Sequence, residues 1–576
     1  MWLRYFALSS AIAYLAGSTV AEDSSCVSAS WDIIVVGAGP AGIIVADRMS
    51  EAGKKTLLIE GGGPSYGITG GTERPAWLNG TGLSRVDVPG LYNSIFTDQG
   101  NLTCQNYTNA FIGCTIGGSS AINAGLFFQP PASDFDRYFP DRWKSQDMNT
   151  SIAKVYSRVP SSDVYSQDKK FYLQSGYDAA HQWLVDNAGY SDISINDQPN
   201  LKTKVFGRPV FDYIGGQRGG PAVTYLQTAL KCLNFHLQSG TRVKRIARNG
   251  KEATGVIASV NGTDTLIKLN TNGRVILSGA YISTILLSFV GSFWNNSLTF
   301  FIAGALQSPQ LLYFSGIGPD QLQANLSAAG LLDGVSDWIN NSAVGDGLFD
   351  SPNTFIEFEG PSLQSYVYNY SYPVRSDAEM YIRNRSGPYS FASETSVFWT
   401  NISHRDGSVT GLQGTIDSAG YSDYMSNNTI TLNIYGTSGL KSRGKVILDN
   451  KYLPGPSPDV YYSNPQDAKD IARFIRDIFD HLNGTSLRPM NIPQNATRHQ
   501  IRQYITSPTN YTRGEVQHWS SSCKIGSCID VNTVVQGTTN IHVVDASIIE
   551  PLTVNPQVSL TQRITLQMLT LTSSAS

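Results

Sequence analysis

Apolar residues run along this chain in two patterns, and each predicts a different element. Ile33-Ile34-Val35-Val36 and Leu57-Leu58-Ile59 are uninterrupted apolar runs separated by a segment that opens at Pro40. That is the pattern of a strand buried on both faces, a helix and a second such strand. A partly helical region from about 150 to 240 precedes further strand-like runs at 241–246, 255–260 and 274–277. From about 350 to 515, Tyr, Ser and Asn alternate with apolar residues, as in Ile430-Thr431-Leu432-Asn433-Ile434-Tyr435, which predicts an antiparallel sheet with one wet face. A buried-strand pattern returns in Ile541-His542-Val543-Val544-Asp545, followed by an apolar helix near 560–571. The expected fold class is α/β. A Rossmann-like nucleotide domain at 31–345 is completed by 516–576, with an antiparallel-sheet substrate domain at 346–515 between them.

The link between the first two strands carries chemistry. In Gly37-Ala38-Gly39-Pro40-Ala41-Gly42 the glycines allow a tight turn and close approach to a pyrophosphate, and the following helix points its first amides at that anion. Glu60, at the end of the second strand, stands where a carboxylate accepts hydrogen bonds from ribose hydroxyls. A second glycine-rich stretch at 111–125, containing Gly117-Gly118-Ser119-Ser120 and Asn123, suits backbone wrapped around a flat ligand.

Composition narrows the function. With 576 residues the chain exceeds one simple core, and a net charge of −3 with 15% charged residues and no lysine or arginine run excludes a nucleic-acid face. Arg4, the apolar stretch from Tyr5 to Leu15 and the small residues before Glu22 read as a secretory signal peptide over 1–21. Its apolar part is shorter than the about 20 residues of a membrane anchor. Asn-x-Ser/Thr acceptors recur, among them Asn79, Asn261, Asn384 and Asn483, so a secreted, extracellular glycoprotein is expected. Of six cysteines, short loops favour the pairs Cys104–Cys114 and Cys523–Cys528, leaving Cys26 and Cys232 unassigned. No haem or zinc spacing occurs, so no metal is expected.

These blocks, together with Gly304-Ala305-Leu306-Gln307-Ser308-Pro309, Ser442-Arg443-Gly444, His518-Trp519 and Asn555-Pro556-Gln557, resemble the glucose-methanol-choline (GMC) flavoenzymes over nearly the whole mature chain. Within that family the nearest likeness is to the flavin domain of fungal cellobiose dehydrogenase. The resemblance implies a FAD domain of the p-hydroxybenzoate hydroxylase-like type. It implies FAD bound through Gly37, Gly39, Gly42 and Glu60, with Gly117, Gly118, Asn123, Asp545 and Ala546 around the rest of the cofactor, and non-covalent attachment because Cys114 stands where some relatives carry a tethering histidine. It also implies His518 and Asn555 as the catalytic pair.

A histidine suits removal of a hydroxyl proton while hydride passes to flavin N5, and an amide suits orientation of that hydroxyl. Of seven histidines only His518 lies in a family block, and His542, in an expected buried strand, is the main decoy. Two positions depart from the cellobiose enzymes. Val516 replaces a serine before the catalytic histidine, and Asp417 follows Gln413-Gly414-Thr415-Ile416 where an arginine is expected. The reading is therefore an FAD-dependent enzyme oxidising a sugar or other alcohol, passing electrons to a quinone, oxygen or another small acceptor rather than to a haem domain. The alternatives are a biosynthetic alcohol oxidase or dehydrogenase, and a flavin-containing lyase or inactive homologue. Residues 280–303 interrupt a compact family block between Gly279 and Gly304 and read as translated intron.

Overall fold

The computed structural model describes residues 29–104, 111–279, 304–335, 337–512 and 517–555. The signal-peptide segment, Cys26, the insertion at 280–303, Val516 and the expected C-terminal helix all lie outside them. Strand β1 (Ser30–Val36) leads through the glycine turn into helix α1 (Pro40–Glu51) and strand β2 (Thr56–Ile59). A short strand β3 (Val205–Gly207) belongs to the second sheet. The chain then returns in β4 (Phe235–Gln238), β5 (Arg242–Asn249), β6 (Glu252–Val260) and the long β7 (Thr263–Leu277). The second sheet continues with β8 (Asn353–Glu359), β9 (Glu394–Ser403), β10 (Val409–Asp417) and β11 (Thr429–Gly436). Helices α2 (Pro465–Phe479) and α3 (Arg498–Thr506) follow, and β12 (Ile541–Val543) closes the first sheet.

The first sheet has seven strands in the order β4-β2-β1-β7-β6-β5, with β12 paired to β7. The β4, β2, β1, β7 and β12 pairings are parallel, as βαβ connectivity requires, whereas β7-β6-β5 is an antiparallel meander. Val36 and Ile59 end level with Leu277 and Val543, so four carboxyl ends open on one crevice.

The second sheet is antiparallel across β8-β11-β10-β9-β3, and so draws on residues near 205 as well as on 353–436. The sequence pattern predicted one wet face for β11, but every residue of this strand is buried. Ile430, Leu432 and Ile434 pack under α2 and α3, while the polar face carrying Thr431, Asn433 and Tyr435 meets Glu357, Asp417 and Thr415 of neighbouring strands. Alternation marked the two faces correctly; the second is covered by protein rather than water. Disulfides Cys104–Cys114 and Cys523–Cys528 form as expected, and Cys232 is a free thiol. Among the described residues no helix is long and apolar enough to cross a membrane.

Phe398 on β9 shows how tightly the apolar side of the second sheet is filled. Its ring lies edge-on to Tyr190 and over Gly414, where an added Cβ would fall 2.2 Å from the ring. Phe398→Ala is expected to cost about 3–5 kcal/mol of stability, read as a lower denaturant midpoint at unchanged m-value.

Candidate active site

The nucleotide crevice is built from residues that tolerate no side chain. Gly37 sits at φ +101°, and a Cβ there would lie 2.7 Å from the Ser278 carbonyl oxygen; a Cβ on Gly42 would lie 1.9 Å from the Gly37 oxygen. Gly39 caps α1 in extended backbone without a side-chain cap, and the first turn of α1 carries no acid, so its amides stay available to an anion. The second glycine segment docks on the first through Gly117 N donating to Ala38 O at 2.8 Å, with Gly117 at φ +94° and Gly118 at φ +55°.

Glu60 is buried, and its two carboxylate oxygens accept from Ala38 N at 2.8 Å and Gly62 N at 2.9 Å. Each oxygen retains a lone pair for a ribose hydroxyl. Burial raises its pKa to about 7 against the pull of those amides and of Arg242. Asn123 Oδ1 accepts from Gly125 N and from Nη1 of the buried Arg218, at 2.9 and 2.8 Å. At the end of β12, Asp545 Oδ1 caps the turn over Ala546–Ile548 by accepting from Ser547 N. Its Oδ2 accepts from Ser308 Oγ at 2.6 Å and Gly279 N at 3.2 Å. One carboxylate thus holds both flanks of 280–303.

His518 and Asn555 come together at the far side of the crevice, both buried. Burial drives the His518 pKa down to about 3, and the facing Asn555 amide pulls the other way. The imidazole is therefore neutral and able to accept a proton. Neither Oδ1 nor Nδ2 of Asn555 makes a hydrogen bond of standard geometry among the described residues, so the amide has capacity for a bound hydroxyl.

Two residues that the sequence reading did not assign to the site fix these side chains through their backbones. The buried Asp350 accepts from His518 N at 2.6 Å and Gln517 N at 3.0 Å, and from Tyr461 Oη at 2.5 Å. This bracing supports a left-handed φ of 65° at Gln517, a conformation non-glycine residues adopt only when the surroundings impose it. Gln413 on β10 brackets Asn555: its Oε1 accepts from Asn555 N at 2.8 Å and its Nε2 donates to Asn555 O at 2.7 Å, while Trp399 Nε1 donates to the same Oε1 at 3.0 Å. Gln413 was visible as part of a family block, but no spacing in the sequence signals Asp350. His542 lies in β12 with Thr533 Oγ1 3.3 Å from its Nδ1, a satisfied core histidine. Among the described residues no three His, Cys, Asp or Glu converge as metal ligands.

Family models described as GMC oxidoreductase match residues 92–292 and 441–562. The chain belongs to the GMC oxidoreductase family. This GMC oxidoreductase is 24% identical over 583 residues to an oxygen-dependent choline dehydrogenase of Photobacterium profundum, covering 91% of this chain and 89% of that one. It is 25% identical over 420 residues to pyranose dehydrogenase 2 of Leucoagaricus meleagris, covering 69% and 63%. Its fold matches a formate oxidase of Aspergillus oryzae RIB40 with a TM-score of 0.74 at 15% identity, over 95% of this chain and 98% of that one. The protein is an FAD-dependent oxidoreductase acting on CH–OH groups. The crevice fits that cofactor, with a cradle no Cβ can enter, an uncapped helix start and a buried carboxylate at the ribose position.

Gly42→Ala is expected to abolish FAD uptake, because Gly37, itself in left-handed backbone, cannot retreat from the new methyl. The purified variant should lack flavin absorbance; a fully yellow variant would count against the cradle.

Proposed function

We propose that the enzyme oxidises a sugar or another alcohol with His518 as the base and Asn555 as the residue that orients the hydroxyl. The observation that carries this is the buried His518–Asn555 pair, each member pinned by a separate backbone clamp. Bound FAD supplies a hydride acceptor. His518, kept neutral by burial, takes the hydroxyl proton as the carbinol hydride departs, leaving an aldehyde, ketone or lactone. Asn555 holds the hydroxyl toward the imidazole, and the rigid clamps spare the site reorganisation as the proton moves.

The Val205–Gly207, Ser442–Gly444 and His518–Trp519 blocks support a cellobiose-dehydrogenase-like enzyme, and the pyranose dehydrogenase among the relatives supports a sugar. Val516 and Asp417 favour instead an oxidase or dehydrogenase of another alcohol. A secreted glycoprotein is supported by the 1–21 pattern and by solvent exposure of the acceptor asparagines Asn79, Asn261, Asn384 and Asn483. We read residues 280–303 as translated intron because Asp545 already ties Gly279 to Ser308; the spliced transcript should lack those codons, and their presence in mature message would refute the reading.

Anaerobic bleaching of the flavin by cellobiose, glucose and benzylic alcohols, tested side by side, should identify a reducing substrate, whereas a lyase or binding protein would stay oxidised. His518→Ala should keep its FAD and lose about 10²–10⁴-fold in reduction rate. With the imidazole pKa near 3, kcat/KM of the wild type should show no histidine limb above about pH 5. A limb centred at the ordinary histidine value would contradict the buried, neutral base.

A further inference from the structure

Two lines of residues lead from the His518–Asn555 pair to one place. On β10, strand alternation puts Gln413, Thr415 and Asp417 on one face. Hydrogen bonds agree, since Gln413 brackets Asn555 and Asn433 Nδ2 donates to Asp417 Oδ2 at 3.1 Å. At about 3.4 Å per residue, Asp417 stands roughly 13 Å along the strand from Gln413. The second line begins where Phe111 N donates to Gln517 Oε1 beside His518. The Phe111 ring lies 5.0 Å from Phe96, Phe96 lies edge-on to Tyr92 at 5.9 Å, and Tyr92 Oη donates to Glu394 Oε1 at 3.2 Å. Glu394 is the partner of Asp417 in the β9–β10 pairing.

Of this carboxylate pair Glu394 is buried and Asp417 half-buried, and beside them two acceptors stand open among the described residues. Ser393 Oγ and Asn433 Nδ2 each donate to Asp417, and Tyr92 to Glu394, yet Glu394 Oε2 and Asn433 Oδ1 accept no hydrogen bond among the described residues. Arg218 acts on Glu394 only from a distance, and its Nε and Nη1 donate to Val86 O, Ser120 O and Asn123 Oδ1. Burial pushes both carboxyls above the usual range, and the charge of Asp417 pushes Glu394 further. The pair thus keeps a proton near neutral pH that a bound cation would displace.

We propose that Asp417 and Glu394 receive the protonated amine of an elongated alcohol whose carbinol lies at His518 and Asn555, its middle running along the Phe111, Phe96 and Tyr92 rings. A neutral hydroxyl at the far end would add a donor but no charge, whereas an ammonium supplies both donors and charge and gains from the aromatic faces. The separation of roughly 13 Å excludes an amine and a hydroxyl on neighbouring carbons from spanning both ends. This inference rests on the alcohol-oxidising reading.

The test compares straight-chain ω-amino alcohols of increasing length with alcohols lacking the amine, by anaerobic flavin reduction of the FAD-loaded enzyme. Long amino alcohols should be preferred about tenfold in kcat/KM, and Asp417→Asn or Glu394→Gln should erase that preference while the neutral alcohols change little. Equal rates for both series, or a preference that survives both substitutions, would overturn the proposal while leaving alcohol oxidation intact. Long alkylamines without a hydroxyl give a readout independent of oxidation. Calorimetric binding to wild type that weakens about tenfold in Asp417→Asn is expected, and no binding would sink the amine site even if every alcohol failed to reduce the flavin.

Discussion

The parallel pairing of β12 with β7, beside β1, is the constraint on which the rest of the structure hangs. Its register sets Leu277 against Val543 and Val36 against Leu277, so residues more than 500 positions apart end level at one crevice. From that alignment follow the contact of the glycine turn with Ser278 and the reach of Asp545 to Gly279 and Ser308. The segment after β12 then arrives at the second sheet with Asn555 against Gln413. Parallel strands pair only through long connections, and here the connection includes most of the second sheet. The two sheets are therefore interleaved along the chain, each drawing strands from both sides of the other.

Burial of polar groups does the work of positioning. A buried backbone N–H left without an acceptor costs about 1–3 kcal/mol, so the amides of Gln517, His518 and Asn555 hold Asp350 and Gln413 in place as firmly as those side chains hold them. The same low-dielectric setting that strengthens these clamps keeps His518 neutral and leaves the Asn555 amide with open valences. The open Asn555 amide is prepared for a ligand at that point.

The nucleotide half was legible because its chemistry is local. Gly37, Gly42 and Glu60 lie within one βαβ unit, and the steric reason for each glycine can be stated from the turn alone. The face pattern of β11 was equally legible, yet its polar side proved buried. Alternation distinguishes two faces but cannot say whether water or another part of the protein covers the second. Both disulfides close short loops, so proximity along the chain sufficed to find them.

The amino-acid sequence by itself determined the strands and glycine turns of the cofactor cradle, which depend on residue type and short-range spacing, whereas the two candidate catalytic side chains were named through the family resemblance. Tertiary structure alone decided what surrounds them: Asp350 under His518, Gln413 bracketing Asn555, and Asp417 facing Glu394. The distinction is physical. Backbone sterics act over a few residues, whereas hydrogen bonds between buried groups join positions separated by 168 residues for His518 and Asp350 and by 142 for Asn555 and Gln413, and no periodicity in a single sequence encodes such pairings.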